Sequence, residues 1–307
     1  MLKKFTIRKI AITSLLLLLA IILYNYPEEI NTVKETPQHK TMDIYLIDNH
    51  DYVAMTKINS NSSNSYDQIP ELINSLTIGN NNDNLPEGFK AIIPENTKLL
   101  EYDLKDNLLK VNFSKEFLNI NSESENKMIE ALVYSLTTIK EVKNVMIFVE
   151  GERLLKLPNS GKPLDIYLNR NYGINKVIDI NDIHDTSMVT IYYLSKQNDY
   201  YYIPVSYISN NKSDKIEIII NNLKANKLNN SNLLSHLNYQ VELMNYEATE
   251  QEISLDFNEL LLNSVYEGKL KEEVKYAVSY SIHDTLGIEN VIFMVNSNKI
   301  DEFRLEN

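Results

Sequence analysis

The chain has 307 residues, 43% of them hydrophobic, enough for about two packed domains. Without cysteine it has no disulfide, thiolate metal site, cysteine nucleophile or lipid-modified N-terminal cysteine, and with only 7 glycines it offers no phosphate-cradling loop. Four of its 30 basic residues precede the first apolar run and all 42 acidic residues follow it, so the body repels nucleic acid and anionic head groups.

Lys3, Lys4, Arg8 and Lys9 lead into the apolar run Ile10–Tyr24, broken only by Thr13 and Ser14. The run is shorter than the roughly 20 residues that cross a bilayer. With Lys9 and Arg8 snorkelling at one end and Tyr24 and Tyr26 at the other, residues 7–26 reach a span. The sequence ILYNYPEE lacks the small residues of a cleavage site, which favours an uncleaved signal anchor over residues 1–26. Basic residues before the run place the remainder outside the cell membrane, in a single-pass arrangement. Residues 27–41, polar and with two prolines, read as a linker.

The body then repeats itself. KVNFSKEFLNI at Lys110 matches SLDFNELLLNS at Ser254, and ALVYSLTTIKEVKNVMIFV at Ala131 matches AVSYSIHDTLGIENVIFMV at Ala277. DIYLID at Asp43 matches TIYYLS at Thr190. The offsets are 144, 146 and 147, so short loop indels relate two copies of one unit.

In copy one, Met42–Ile47 and Tyr52–Ile58 are β-rich runs around DNHD, a hairpin signal. Ser65 or Asp67 caps a helix with Ile69, Leu72, Ile73 and Leu76 on its apolar face and Pro70 in its first turn. KLLEYDL and LLKVNFS flank Lys105-Asp106-Asn107 as a second hairpin. Ser122 and Glu125 form a capping box for a helix burying Met128, Leu132, Leu136 and Ile139. The continuous apolar run NVMIFV is a central strand. Copy two repeats this order, with Ile216, Ile219, Ile220 and Leu223 on its first helix and Leu270, Val274, Val278 and Ile282 on its second. The expected architecture is α+β: two tandem small domains, each a mainly antiparallel sheet with two helices on one face, in the order β-β-α-β-β-α-β. They occupy residues 42–157 and 189–307, joined by a packed connector over 158–188.

LPEGFKAIIPENTKLLEYDLKDNLLKVNFSKEF (Leu85–Phe117) resembles the signature of the GerMN-domain family, with its proline-bearing loop, IP-x-x-T-K-L-L strand entry and V-N-F-S strand end. EALVYSLTTIKEVKNVMIFVEGERL (Glu130–Leu154) is similar to the family's closing helix, turn, strand and hairpin. Copy two departs from it: LNYQV at Leu237 replaces the IP-x-x-T entry, although Leu243, Tyr246 and Phe257 keep the apolar spacing. Relatives often carry a lipid-modified cysteine, for which a transmembrane tether here is the substitute. The resemblance implies an extracytoplasmic protein of spore formation and germination, related in architecture to the ring-building domains of sporulation channels. It supplies no catalytic residue and no cofactor.

Residue by residue, enzymatic chemistry finds no support. His39, His50, His184, His236 and His283 have no metal-ligand spacing and read as solvated or locally satisfied, His283-Asp284 lying on a polar helix face. Ser114 is replaced by Asn258 in copy two and reads as a turn cap. Glu123/Glu125 and Glu272/Glu273 sit in first helical turns, where they favour the helix dipole. The tyrosines stand out, 20 in all, with Tyr192, Tyr193, Tyr200, Tyr201, Tyr202 and Tyr207 in one hairpin. Strand alternation places Tyr200 and Tyr202 on one face and Tyr201 on the other. They read first as cross-strand packing. The second reading is an interaction surface at Tyr200, Tyr201, Tyr202 and Tyr207. The expected partners are envelope membrane proteins or a second copy, with peptidoglycan or another glycan as the alternative.

Overall fold

The computed structural model describes residues 9, 12–19, 21, 40–62, 64–80, 84–182, 184–224 and 232–305. Residues 12–19 are helical. Most of the expected anchor and linker lies outside the described residues. Among those described, no helix is long and apolar enough to cross a membrane. Lys40–Asn307 forms one compact unit, described from here on.

Copy one contains β1 (Thr41–Ile47), β2 (Val53–Asn59), α1 (Ser65–Leu76), β3 (Leu99–Lys105), β4 (Leu108–Phe113), α2 (Glu125–Leu136), β5 (Asn144–Val149) and β6 (Glu152–Arg153). The connector adds a 3-10 turn, Arg170–Tyr172, and β7 (Val177–Asp179). Copy two contains β8 (Ser187–Lys196), β9 (Tyr200–Ser209), α3 (Lys215–Lys224), β10 (Leu243–Ala248), β11 (Glu252–Phe257), a hairpin of β12 (Val265–Tyr266) and β13 (Lys269–Leu270), α4 (Glu272–Leu286), β14 (Asn290–Val295) and β15 (Asn298–Arg304).

Each copy builds a four-stranded sheet, β3-β4-β5-β6 in one and β10-β11-β14-β15 in the other. These sheets are mixed rather than mainly antiparallel. The chain leaves β4, crosses through α2 and returns as β5, so the two strands run parallel, as β11 and β14 do across α4. A helical crossover brings a strand back in the same direction, whereas a tight turn reverses it. β5 and β14 are internal strands, consistent with their continuous apolar runs. The first edge strand of each sheet slips register at the same place, between Leu99 and Glu101 in β3 and between Leu243 and Asn245 in β10. Such bulges twist an edge and discourage further pairing.

The leading hairpins do not remain with their own copies. β2 meets β9 antiparallel at Met55 and Tyr202, and β7 runs parallel to the far end of β9. The result is one five-stranded sheet drawn from both copies and the connector. The cores follow suit: Tyr192 of copy two is buried in the first core and Ala54 of copy one in the second.

Helix ends differ from expectation in detail. Asn64, not Ser65 or Asp67, caps α1, its Oδ1 accepting from Asp67 N at 2.9 Å. Pro70 lies in the second turn, not the first. The capping box does not form, because Glu125 turns away to accept from the backbone N–H groups of Asn159 and Ser160 at 2.8 and 3.0 Å. Glu125 is 1% exposed, and these two amides supply the donors that its buried carboxylate requires. Leu270 is buried in β13 instead of opening the second helix.

Candidate functional site

The two hairpins bring repeat-related residues face to face. Tyr45 on β1 and Tyr192 on β8 occupy equivalent positions, are both fully buried, and approach hydroxyl to hydroxyl at 2.8 Å. Behind each stands the equivalent serine of the packed helix. Ser135 Oγ accepts from Tyr45 N at 2.9 Å and Ser281 Oγ from Tyr192 N, also at 2.9 Å. The two copies are thus related about an axis passing near the paired tyrosine hydroxyls.

A charged pair at the axis breaks that symmetry. Arg170 of the connector reaches to the axis, where its Nη1 donates to Asp284 Oδ1 and Oδ2 at 2.7 and 2.8 Å. The same nitrogen reaches Tyr192 Oη at 3.1 Å and Tyr45 Oη at 3.3 Å, and Nε donates to Thr137 Oγ1 at 3.1 Å. Tyr192 Oη donates to Asp284 Oδ2 at 2.5 Å, so Tyr45 supplies the proton in the tyrosine pair. The guanidinium lies 4.9 Å from the Tyr134 ring centre and 5.5 Å from that of Tyr45. The Asp284 side chain is 1% exposed, so its charge depends on these donors.

Burial works against charging Arg170, yet Asp284 and the surrounding tyrosines hold its pKa well above the ordinary value. Burial pushes the Tyr45 hydroxyl up to about 12 and the Tyr192 hydroxyl well above its ordinary value, so both stay protonated donors. His283, expected on a polar helix face, is half-buried, and its Nδ1 has no partner among the described residues. Burial holds its pKa below the ordinary value against the pull of Asp284. Asp284 likewise belongs to the inter-copy centre rather than to a solvated face. No metal-binding cluster occurs among the described residues.

The connector ties the copies a second time. Asn175 donates to the carbonyls of Val53 and Pro204 at 2.8 and 2.7 Å and accepts from Val53 N at 3.0 Å. Its neighbour Lys176 pairs with the buried Glu130 of α2 at 2.8 Å.

Beside this centre lies a cleft of about 520 Å³, walled by both copies. Copy one contributes Asp43, Lys57 and the loop through Phe89; copy two contributes the β8–β9 turn, the start of β9, Tyr276 and Tyr280. The loop sits tightly on the turn, since a Cβ at Gly88 would come within 1.9 Å of Gln197 Oε1. Three of the four tyrosines singled out from the sequence line this cleft. Tyr200 is 38% exposed and meets His236 edge-on at 5.0 Å. Tyr201 is 7% exposed, packs on Phe89 at 5.0 Å and donates to the buried Asp48 of copy one at 2.9 Å. Tyr202 is half-buried and joins an aromatic group with Tyr276 and Tyr280. Tyr207 lies off the cleft, bonded to Tyr193 hydroxyl to hydroxyl at 3.0 Å. Sequence reasoning missed Arg170, Asn175 and Asp284, the residues that join the copies.

The architecture is similar to that of solved tandem GerMN domains. Residues 43–155 match the family model Germane, described as "Sporulation and spore germination", so copy one is a domain of that family. The chain is 29% identical over 278 residues to the spore germination protein GerM of Bacillus subtilis (strain 168), covering 88% of this chain and 75% of that protein. Its structure is similar to the solved tandem GerMN domains of the sporulation protein GerM from Bacillus subtilis. The TM-score is 0.77 at 26% identity, over 87% of this chain and 97% of that one. The solved first GerMN domain of the same protein is 28% identical and covers 43% of this chain and 98% of that one, with a TM-score of 0.41.

Proposed function

We propose that this chain serves spore formation and germination as a non-catalytic assembly protein, tethered to the cell membrane with its body outside. The observation that carries the reading is the likeness of both copies at once to the tandem domains of a sporulation protein, as 87% of this chain superposes on 97% of that one. The charged groups at the inter-copy axis support a structural role, because Arg170, Asp284, Tyr45 and Tyr192 spend their hydrogen bonds on one another. The tether rests on the basic residues and apolar run of positions 7–26.

Complementation tests the proposal. Expressed in Bacillus subtilis lacking GerM, the chain restores heat-resistant spore yield, and a tagged copy cross-links to other envelope proteins in the membrane fraction. Failure to complement with normal accumulation, or recovery of the tagged chain free in the medium, contradicts it. The tyrosine-lined cleft favours one second reading, a glycan-binding module. Co-sedimentation of the purified chain with peptidoglycan separates the two, since assembly does not require it.

A further inference from the structure

The two copies treat one equivalent aromatic ring differently. In copy one, Tyr134 on α2 is covered by the Arg170 guanidinium at 4.9 Å, with Asp284 as counter-charge. Its equivalent in copy two is Tyr280 on α4, which lines the cleft. Among the described residues no cation of the chain lies over Tyr280. The ring is flanked by Tyr202 at 5.6 Å and Tyr276 at 5.9 Å, both also in the cleft wall.

A carboxylate stands beside this aromatic group. Asp43 lines the same cleft, and its Oδ1 is buried with no hydrogen-bond partner among the described residues. The nearest cations, Lys57 directly across the hairpin and Arg170, act on it only through space, with no ion pair within 4.0 Å among the described residues. Burial accordingly raises its pKa. Glu87 and Asp199 add negative charge among the lining residues, where Lys57 is the cation; Lys275 and Lys196 lie over the Tyr276 and Tyr200 rings at 5.8 and 5.2 Å and leave Tyr280 uncovered. Tyrosine rings with one carboxylate are what this chain itself uses to hold a guanidinium, and a cation over a ring gains most where water is excluded.

We propose that the cleft between the copies receives an ammonium or guanidinium side chain, presented on an extended segment of a partner protein, with Asp43 as counter-charge and Tyr202, Tyr276 and Tyr280 as the surrounding wall. The cation over Tyr280 comes from the ligand, where copy one takes its own from the connector. That the carrier is a protein rests on the assembly reading; that the cleft selects a cation does not.

The test is calorimetric titration of the full chain with capped Gly-Gly-Lys-Gly-Gly, its Arg counterpart and its norleucine counterpart. The Lys and Arg peptides bind, and norleucine binds at least tenfold more weakly. Asp43→Asn, which keeps volume, lowers Lys and Arg affinity at least tenfold. Glu247→Gln, an exposed carboxylate on β10, changes it less than twofold and so controls for the overall acidity of the chain. Lys57→Met removes the competing cation and tightens binding about threefold, which keeps the proposal testable if Asp43→Asn misfolds. Equal binding of norleucine, indifference to Lys57→Met, or binding of chitotetraose with no peptide binding overturns it. Peptide binding without complementation in cells leaves the cleft standing and sinks the assembly reading; complementation without peptide binding does the reverse.

Discussion

The two copies agree where backbone must be satisfied and differ where charge is buried. Tyr45 and Tyr192, Ser135 and Ser281, and Phe113 and Phe257 hold equivalent places with the same partners or the same burial. At the ends of the packed helices they part. α2 stops at Leu136 and spends Thr138 on carbonyls of its own copy, Ser135 O at 2.7 Å and Asp43 O at 3.4 Å, whereas α4 runs on to Leu286 and turns Asp284 into the inter-copy axis. Sequence alignment pairs Thr138 with Asp284, so this single position separates a copy that closes on itself from one that reaches across. Repetition fixes the domain and pairs the two hairpins, and departure from repetition adds the buried charge between them.

The largest effect should come from breaking that difference. Asp284→Ala strands the buried Arg170 charge and should cost about 3–5 kcal/mol in urea unfolding. Thr138→Ala, at the aligned place, removes uncharged hydrogen bonds within copy one worth only about 1 kcal/mol. Equal costs for the two would refute the asymmetry.

Next come the serines, where the copies should agree. Ser135→Ala and Ser281→Ala each leave a buried backbone N–H unpaired, at about 1–3 kcal/mol apiece. Hydrogen exchange should accelerate at the Tyr45 amide in the first variant and at the Tyr192 amide in the second.

Smaller still, Tyr45→Phe and Tyr192→Phe should each lose roughly 0.5–1.5 kcal/mol. In a double-mutant cycle the losses should be non-additive, because the hydroxyls bond each other at 2.8 Å.

The smallest expected effect is a pH slope. His283 is held below its ordinary pKa, so the unfolded chain takes up a proton near pH 6.5 while the folded chain does not. Its contribution is therefore present above that value and lost as pH falls. Asp43, whose pKa is raised, works with the opposite sign, its contribution being lost as pH rises from the ordinary aspartate value through the raised one. His283→Thr, which copies the residue at Thr137, should flatten the decline in urea midpoint between about pH 7 and about pH 5.5 relative to the unaltered chain.

Much of this architecture was legible because local pattern dictated it. The 144- to 147-residue offsets announced two copies, and the apolar spacing of Ile69, Leu72, Ile73 and Leu76 placed α1. Turn chemistry placed the hairpin at Asp106-Asn107, where both residues take positive φ. Strand direction was not legible, because apolar runs such as NVMIFV read the same for parallel and antiparallel neighbours. The shared sheet was hidden too: β2 and β9 meet at one residue pair, and nothing in either strand records a partner 147 residues away. Arg170 and Asn175 sat in a connector whose sequence showed apolar clusters but no sign of where its polar side chains point. Of the tyrosines singled out, Tyr200, Tyr201 and Tyr202 line the cleft and Tyr207 does not, a division that strand alternation alone does not reveal.

The central claim is that the connector and the shared sheet make one cooperative body from two domains. Differential scanning calorimetry of the full chain tests it most directly. The account predicts a single transition for residues 40–307 with calorimetric and van't Hoff enthalpies in agreement, resolved into two by Asp284→Ala. Two separate transitions in the unaltered chain would contradict it.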